Sequence, residues 1–172
     1  VSGTVLSRQE VTASEDAVKT VITSFEGEYM QIPPMYSALK VNGQKLCDLA
    51  RKGIEVERKA RPVTIHKIEI LEIDLPRVRM KVECSKGTYI RTLCQDIGEK
   101  LGCGACMESL LRTRVSEFRL DGALRLQQIE ELVQREDFSF VQSVDSVFMQ
   151  YDSAQVMEIA KKMVENGNRI PK

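Results

Sequence analysis

Tyr89 and Arg91 stand two positions apart behind the small turn Lys86-Gly87-Thr88, within the stretch "SKGTYIRTLCQDIG". An aromatic ring can stack on a planar base, and a guanidinium can grip a carboxylate or phosphate with two parallel hydrogen bonds. Whether both serve one site depends on the backbone. In mid-helix they would point about 200° apart; in extended chain, residues two apart share a face. A Tyr and an Arg on a sheet edge is the plainer alternative, and spacing alone leaves it open. Asp96 is the acidic residue of the stretch, but it lies a full turn past Arg91 in a helical pattern, which suits a structural role.

Other reactive residue types form weaker patterns. "CGAC" (Cys103 to Cys106) has the spacing of half a zinc site or a redox pair. The single histidine, His66, and the remaining cysteines supply no partner spacing, so small residues packing a helix end are the preferred reading. His66 itself sits in a strand-like run with no triad around it.

From Lys40 to Arg61 there are seven basic and three acidic residues, bounded upstream by Pro33-Pro34 and accompanied by Tyr36. Phosphate contacts plus a stacking ring would need that combination. A merely solvated loop is the alternative.

Charge partition along the chain favours a polyanion partner. Net charge is zero, but residues 40–91 hold thirteen basic and seven acidic residues, whereas residues 1–39 and 92–172 each carry an acidic excess. The length of 172 residues suffices for one sizeable domain with part of a second. No apolar run approaches the roughly 20 residues that span a bilayer, and "VSGTVLSRQEV" lacks the regions of a signal peptide. Five scattered cysteines suit reduced thiols. A cytoplasmic protein with no membrane partner is expected.

The elements that must position these residues are largely signalled. Gly3 to Val11 reads as a strand; Thr12 with Glu15 makes a capping box for a helix carrying Val18, Val21, Ile22 and Phe25. Gln31 to Pro62 is a long basic excursion: Pro33-Pro34 bars regular structure, Asn42-Gly43 favours a turn, and "KLCDLARKG" is a short helix. "PVTIHKIEILEIDL" and "RVRMKVECS" read as paired antiparallel strands, with a bulge near His66-Lys67 where the alternation changes phase. Ile90, Leu93, Ile97 and Leu101 mark a helix ending at Gly102. "LQQIEELVQ" opens a second unit after Gly122, and a last helix runs from Ser153 to Gly167. The expected fold is mixed α/β (α+β), mainly an antiparallel sheet flanked by helices, with units at 1–124 and 125–172. Both ends read as cut, so an exposed sheet edge and self-association are expected.

Two long motifs carry a resemblance. "QIPPMYSALKVNGQKLCDLARKGIEVERKARPVTI" and "CSKGTYIRTLCQDIGEKLGCGACMESLLRTRVSEF" closely resemble bacterial tRNA pseudouridine-55 synthases, the TruB family, over about Gly3 to Phe118. The tail from Leu126 resembles more loosely the start of that family's C-terminal domain.

The resemblance implies isomerisation of a uridine in the T loop of tRNA, with no cofactor or metal, on a base flipped out of its loop. It implies that Tyr89 contacts the flipped base, that Arg91 pairs with a catalytic aspartate, and that Leu110 packs at the pocket. Ser37, Lys40, Lys45 and Arg51, on a thumb loop at about 31–62, would hold RNA together with Arg112. The family's aspartate lies in a "GxLDPxAxG" motif, which does not occur in these 172 residues. The chain then reads as a part of the enzyme, inactive alone, or alternatively as a non-catalytic RNA-binding module. Leu111, Cys47 and Cys106 depart from the family's usual arginine, tyrosine and histidine.

Overall fold

A computed structural model describes Val5 and residues 7–169. It divides into two units, one ending at Leu110 and the other beginning at Leu111. In the first, helix α1 (Glu15–Thr23) starts at Ser14, whose Oγ accepts the Ala17 N–H at 3.3 Å. The cap is therefore Ser14, not Thr12, and Glu15 and Asp16 complement the helix dipole in the first turn. The expected strand at Gly3 to Val11 lies partly outside the described residues. Val5 and residues 7–11 are not strand, having no ladder partner among the described residues.

Three antiparallel strands form the sheet in the order β1 (Gly27–Gln31), β4 (Arg61–Asp74), β5 (Arg77–Cys84). β1 is an element that the proline-rich sequence after it had obscured. On β4, Val63 and Ile65 face the core, then a register shift between Ile65 and Lys67 turns the phase so that Ile68 follows them inward. That is the expected bulge. Glu26 Oε1 accepts the Ile68 N–H there at 2.6 Å. A second shift, between Ile70 and Glu72, had no signal in the pattern. On the outward face the register sets Lys67 opposite Glu83 and Glu69 opposite Lys81, pairs of the sign that stabilises a ladder.

Helix α3 (Ile90–Leu101) ends on Gly102 in the left-handed region, as its sequence indicates. Val18 and Ile22 of α1, Ile65 and Ile68 of β4, and Leu93 and Ile97 of α3 make one core cluster. Phe25 extends it, edge-on to Tyr29 at 5.4 Å between ring centres.

The excursion hangs between Gln31 and Arg61, which pair across β1 and β4. It contains a two-residue hairpin, β2 (Lys40–Val41) and β3 (Gln44–Lys45), closed by Asn42 and Gly43, both with positive φ. Two positive φ values match the right-handed strand twist. Helix α2 (Leu46–Arg51) follows and buries Leu46 and Leu49. The return leg is tied down where Arg58 donates to the Pro33 carbonyl at 3.3 Å.

The second unit holds a small hairpin, β6 (Arg114–Val115) with β7 (Phe118–Arg119), then α4 (Leu126–Gln134) and α5 (Glu158–Glu165). α5 begins after Met157, not at Ser153. It buries none of its residues, and a short helix without packing is marginal in water.

Candidate functional site

The site is built where β5 runs out. Ser85 continues the ladder by one residue: its N–H reaches the Thr64 carbonyl at 2.8 Å and its Oγ accepts the Thr64 N–H at 3.0 Å. Thr88 Oγ1 then donates to the Ser85 carbonyl at 2.9 Å, closing a turn in which Gly87 takes a φ of 86°. Tyr89 emerges from that turn extended, at φ −100° and ψ 105°, and α3 begins at the next residue. The backbone alternative posed by the sequence thus has an intermediate answer: Tyr89 is the N-cap and Arg91 lies in the first helical turn.

Tyr89 has no side-chain cap of its own. Its backbone is instead held by Gln31, whose Oε1 accepts the Tyr89 N–H at 2.8 Å and whose Nε2 donates to the Tyr89 carbonyl at 3.2 Å. Gln31 Nε2 also donates to the Tyr29 hydroxyl. On the other side of that hydroxyl stands Asp96, close enough for the two groups to shift each other's titration. Burial, foremost, and the Asp96 charge push the Tyr29 phenol up to about 12. Burial also raises the Asp96 carboxyl, with Glu99 adding to it and the Tyr29 hydroxyl opposing. Asp96 therefore works inside the fold, as its mid-helix position suggested.

Around Tyr89 lies a cleft of about 180 Å³ lined by Gln31, Pro33, Leu39, Arg61, Val63 and Lys86, among others. Apolar walls with two cations at the rim suit a planar base whose phosphates remain outside. Gln31 and Lys86 were not singled out from sequence, whereas Arg61 is one of the basic residues counted in the excursion. The available signal was Tyr29 and Gln31 at a strand spacing of two, just ahead of the prolines.

The other expected residues are placed as follows. Arg91 is exposed and has no acidic partner among the described residues, at the helix end where a cation is electrostatically disfavoured. Lys40 and Lys45 face each other directly across the hairpin, both exposed and without an acidic partner among the described residues. Like charges set opposite oppose the ladder. Arg51 meets Asp48 at 3.1 Å on the surface. Ser37 is buried, at 6% exposure, and its hydroxyl has no hydrogen-bond partner among the described residues. Leu110 is 56% exposed and does not line the cleft; Arg112 is exposed in the second unit.

Gly104 and Ala105 of "CGAC" pack over α3: a Cβ on Gly98 would stand 2.1 Å from the Ala105 nitrogen. Burial, and secondarily Cys106, raises the Cys94 thiol. His66 is exposed at the bulge.

With this geometry in hand, comparison with known proteins is specific. The N-terminal domain of TruB family pseudouridylate synthases matches residues 1–90, and the C-terminal domain of tRNA pseudouridylate synthase B matches residues 91–154. The tRNA pseudouridine synthase B of Alkaliphilus oremlandii is 49% identical over 170 residues, which are 99% of this chain and 56% of that protein. That of Clostridium acetobutylicum is 48% identical over 168 residues, 98% of this chain and 57% of its own length. The chain thus spans little more than half the length of these relatives. Among solved structures, a Cbf5-Nop10-Gar1 complex matches at a TM-score of 0.60 and 30% identity, over 78% of this chain and 36% of the matched one. A structure of an H/ACA RNP bound to a substrate RNA containing 2′-deoxyuridine matches at 0.56 and 26%, over 77% and 35%. An antiparallel sheet carrying a Tyr-x-Arg turn at the foot of a basic excursion, together with these matches, establishes that the chain belongs to the TruB family of pseudouridine synthases.

Proposed function

We propose that this chain carries the base-facing and RNA-holding part of a tRNA pseudouridine synthase acting on uridine 55 of the T loop. The supporting observation is Tyr89, fixed by Gln31 at the wall of a cleft rooted in the basic excursion. In this reading Tyr89 faces the flipped uracil. Arg91 grips the carboxylate of the aspartate that attacks the nucleotide, holding it ionised through paired charge-assisted hydrogen bonds. That aspartate motif is absent from these 172 residues, so the isolated chain binds RNA without turning it over. Leu110 packs at the pocket when substrate is seated.

Lys40 and Lys45 supply phosphate contacts, for which their mutual repulsion across the hairpin leaves them electrostatically prepared. Arg51 exchanges its exposed bond to Asp48, a pair of a kind worth only about 0.2–1 kcal/mol, for a phosphate. Ser37 gains an acceptor for its unpartnered hydroxyl, and Arg112 contacts RNA. The residues from about 125 onward begin the C-terminal domain. The cytoplasm, where tRNA is found, is the proposed location.

The test uses a T-arm stem-loop. The chain alone is expected to bind it with strong salt dependence and to form no pseudouridine. Lys40→Glu and Lys45→Glu should each lower the salt slope of binding by about one unit or more. Full turnover by the 172-residue polypeptide, or binding indifferent to both substitutions, would overturn the reading.

A further inference from the structure

We infer that Gln31 is a positioning residue for Tyr89, through which the root of the basic excursion sets where the ring stands; this rests on the reading of Tyr89 as the base-facing ring. A side-chain amide offers the same donor and acceptor as a peptide, so one glutamine can replace a missing ladder strand. Gln31 does so at 1% exposure, using Oε1 for the Tyr89 N–H and Nε2 for the Tyr89 carbonyl. The same carbonyl accepts the Leu93 N–H at 3.0 Å and starts α3. Both backbone groups of Tyr89 are thereby fixed, and the ring keeps only its own rotations.

The bonds also join two parts of the sequence that are 58 residues apart. Gln31 ends β1 opposite Arg61, so the two legs of the excursion meet at the residue that holds Tyr89. The Tyr29 hydroxyl accepts from the same Gln31 Nε2 and braces the amide from behind. RNA closing on the excursion would therefore act on the ring through a single buried side chain. A site held within fractions of an ångström by such a support loses rate, more than affinity, when the support goes.

The experiment uses the full-length protein that carries this chain, with Gln31→Met, close in volume and unable to bond, and Gln31→Glu, which keeps an acceptor for the Tyr89 N–H. Single-turnover rate on the T-arm stem-loop, stem-loop Kd and amide exchange at Tyr89 are measured together. Q31M is expected to turn over about ten- to a hundredfold more slowly, with Kd within about twofold. Tyr89 should lose amide protection while Ile65 and Ile68 keep theirs. Q31E should fall between Q31M and the parent.

An unchanged rate, a loss confined to Kd, or a Tyr89 amide that stays protected in Q31M would overturn the inference. If Q31M loosens the whole sheet, the same split measured on Q31E decides. A parent protein that does not convert the stem-loop would remove the proposed function, whereas amide exchange at Tyr89 still decides whether Gln31 holds that backbone.

Discussion

At the residue scale, Asp96 shows how a single carboxylate supports a site that it does not enter. It stands beside Tyr29, Tyr29 accepts from Gln31, and Gln31 holds Tyr89. Its carboxyl is raised above 3.8, first by burial and then by Glu99. A carboxyl whose folded value lies above its unfolded one contributes stability at pH below the unfolded value. That contribution is lost as pH rises through the folded value, so at neutral pH the charged form costs stability. Asp96→Asn keeps an acceptor for Tyr29 and removes the charge. Thermal unfolding followed from pH 7 downward should show the variant more stable at pH 7, by an amount modest for a partly exposed group. The advantage should shrink as the pH falls toward 4. A variant less stable than the parent at pH 7 would mean that the ionised carboxylate is needed by Tyr29.

At the element scale, α3 depends on Gly98. A Cβ there would meet backbone, the Ala105 nitrogen at 2.1 Å and the Gly104 carbonyl carbon at 2.3 Å, while the Gly104 N–H bonds the Gly98 carbonyl at 3.0 Å. Backbone cannot swing aside as a flexible side chain can. Gly98→Ala is therefore expected to cost about 2 kcal/mol or more, read as a lowered Tm, with Gly122→Ala, which meets nothing within 4 Å, as the control. Sequence alone does not reveal this contact, because a glycine in a helical pattern reads only as a weak spot. α3 itself, the β4–β5 pair with its bulge at His66-Lys67, and the Asn42-Gly43 turn were legible, since each writes its period or turn chemistry locally. β1 was not, because two prolines follow it closely and its register is set by β4, thirty residues on. Gln31 was hidden for the same reason: its partner is 58 residues away, and nothing near it in sequence signals the bond. Tyr89 and Arg91 stood out by residue type, but only the N-cap geometry decides how they are aimed.

At the scale of the whole molecule, the sheet has three strands, with β4 in the middle and β1 and β5 on the outside. Each outer strand keeps one edge unpaired among the described residues, and an unpaired edge templates further pairing. β1 is short, and its outward residues include Met30 at 59% exposure. β5 is longer and presents Arg77, Arg79 and Lys81 outward, charges that blunt edge pairing. Of the two, β1 is therefore the weaker barrier. In the second unit α4 and α5 bury none of their residues, and Leu126, Met157 and Ile159 are each more than three-quarters exposed. Apolar surface of that kind favours association over solution as concentration rises. The 19.5 kDa chain is thus expected to self-associate in light scattering coupled to size exclusion, with apparent mass climbing across a dilution series. Met30→Lys should lower that mass if β1 is the contact, and removing residues 125–172 should lower it if the exposed helices are. A mass that stays at the monomer value at the highest concentration would show that neither the open edges nor the helices are sticky enough to pair.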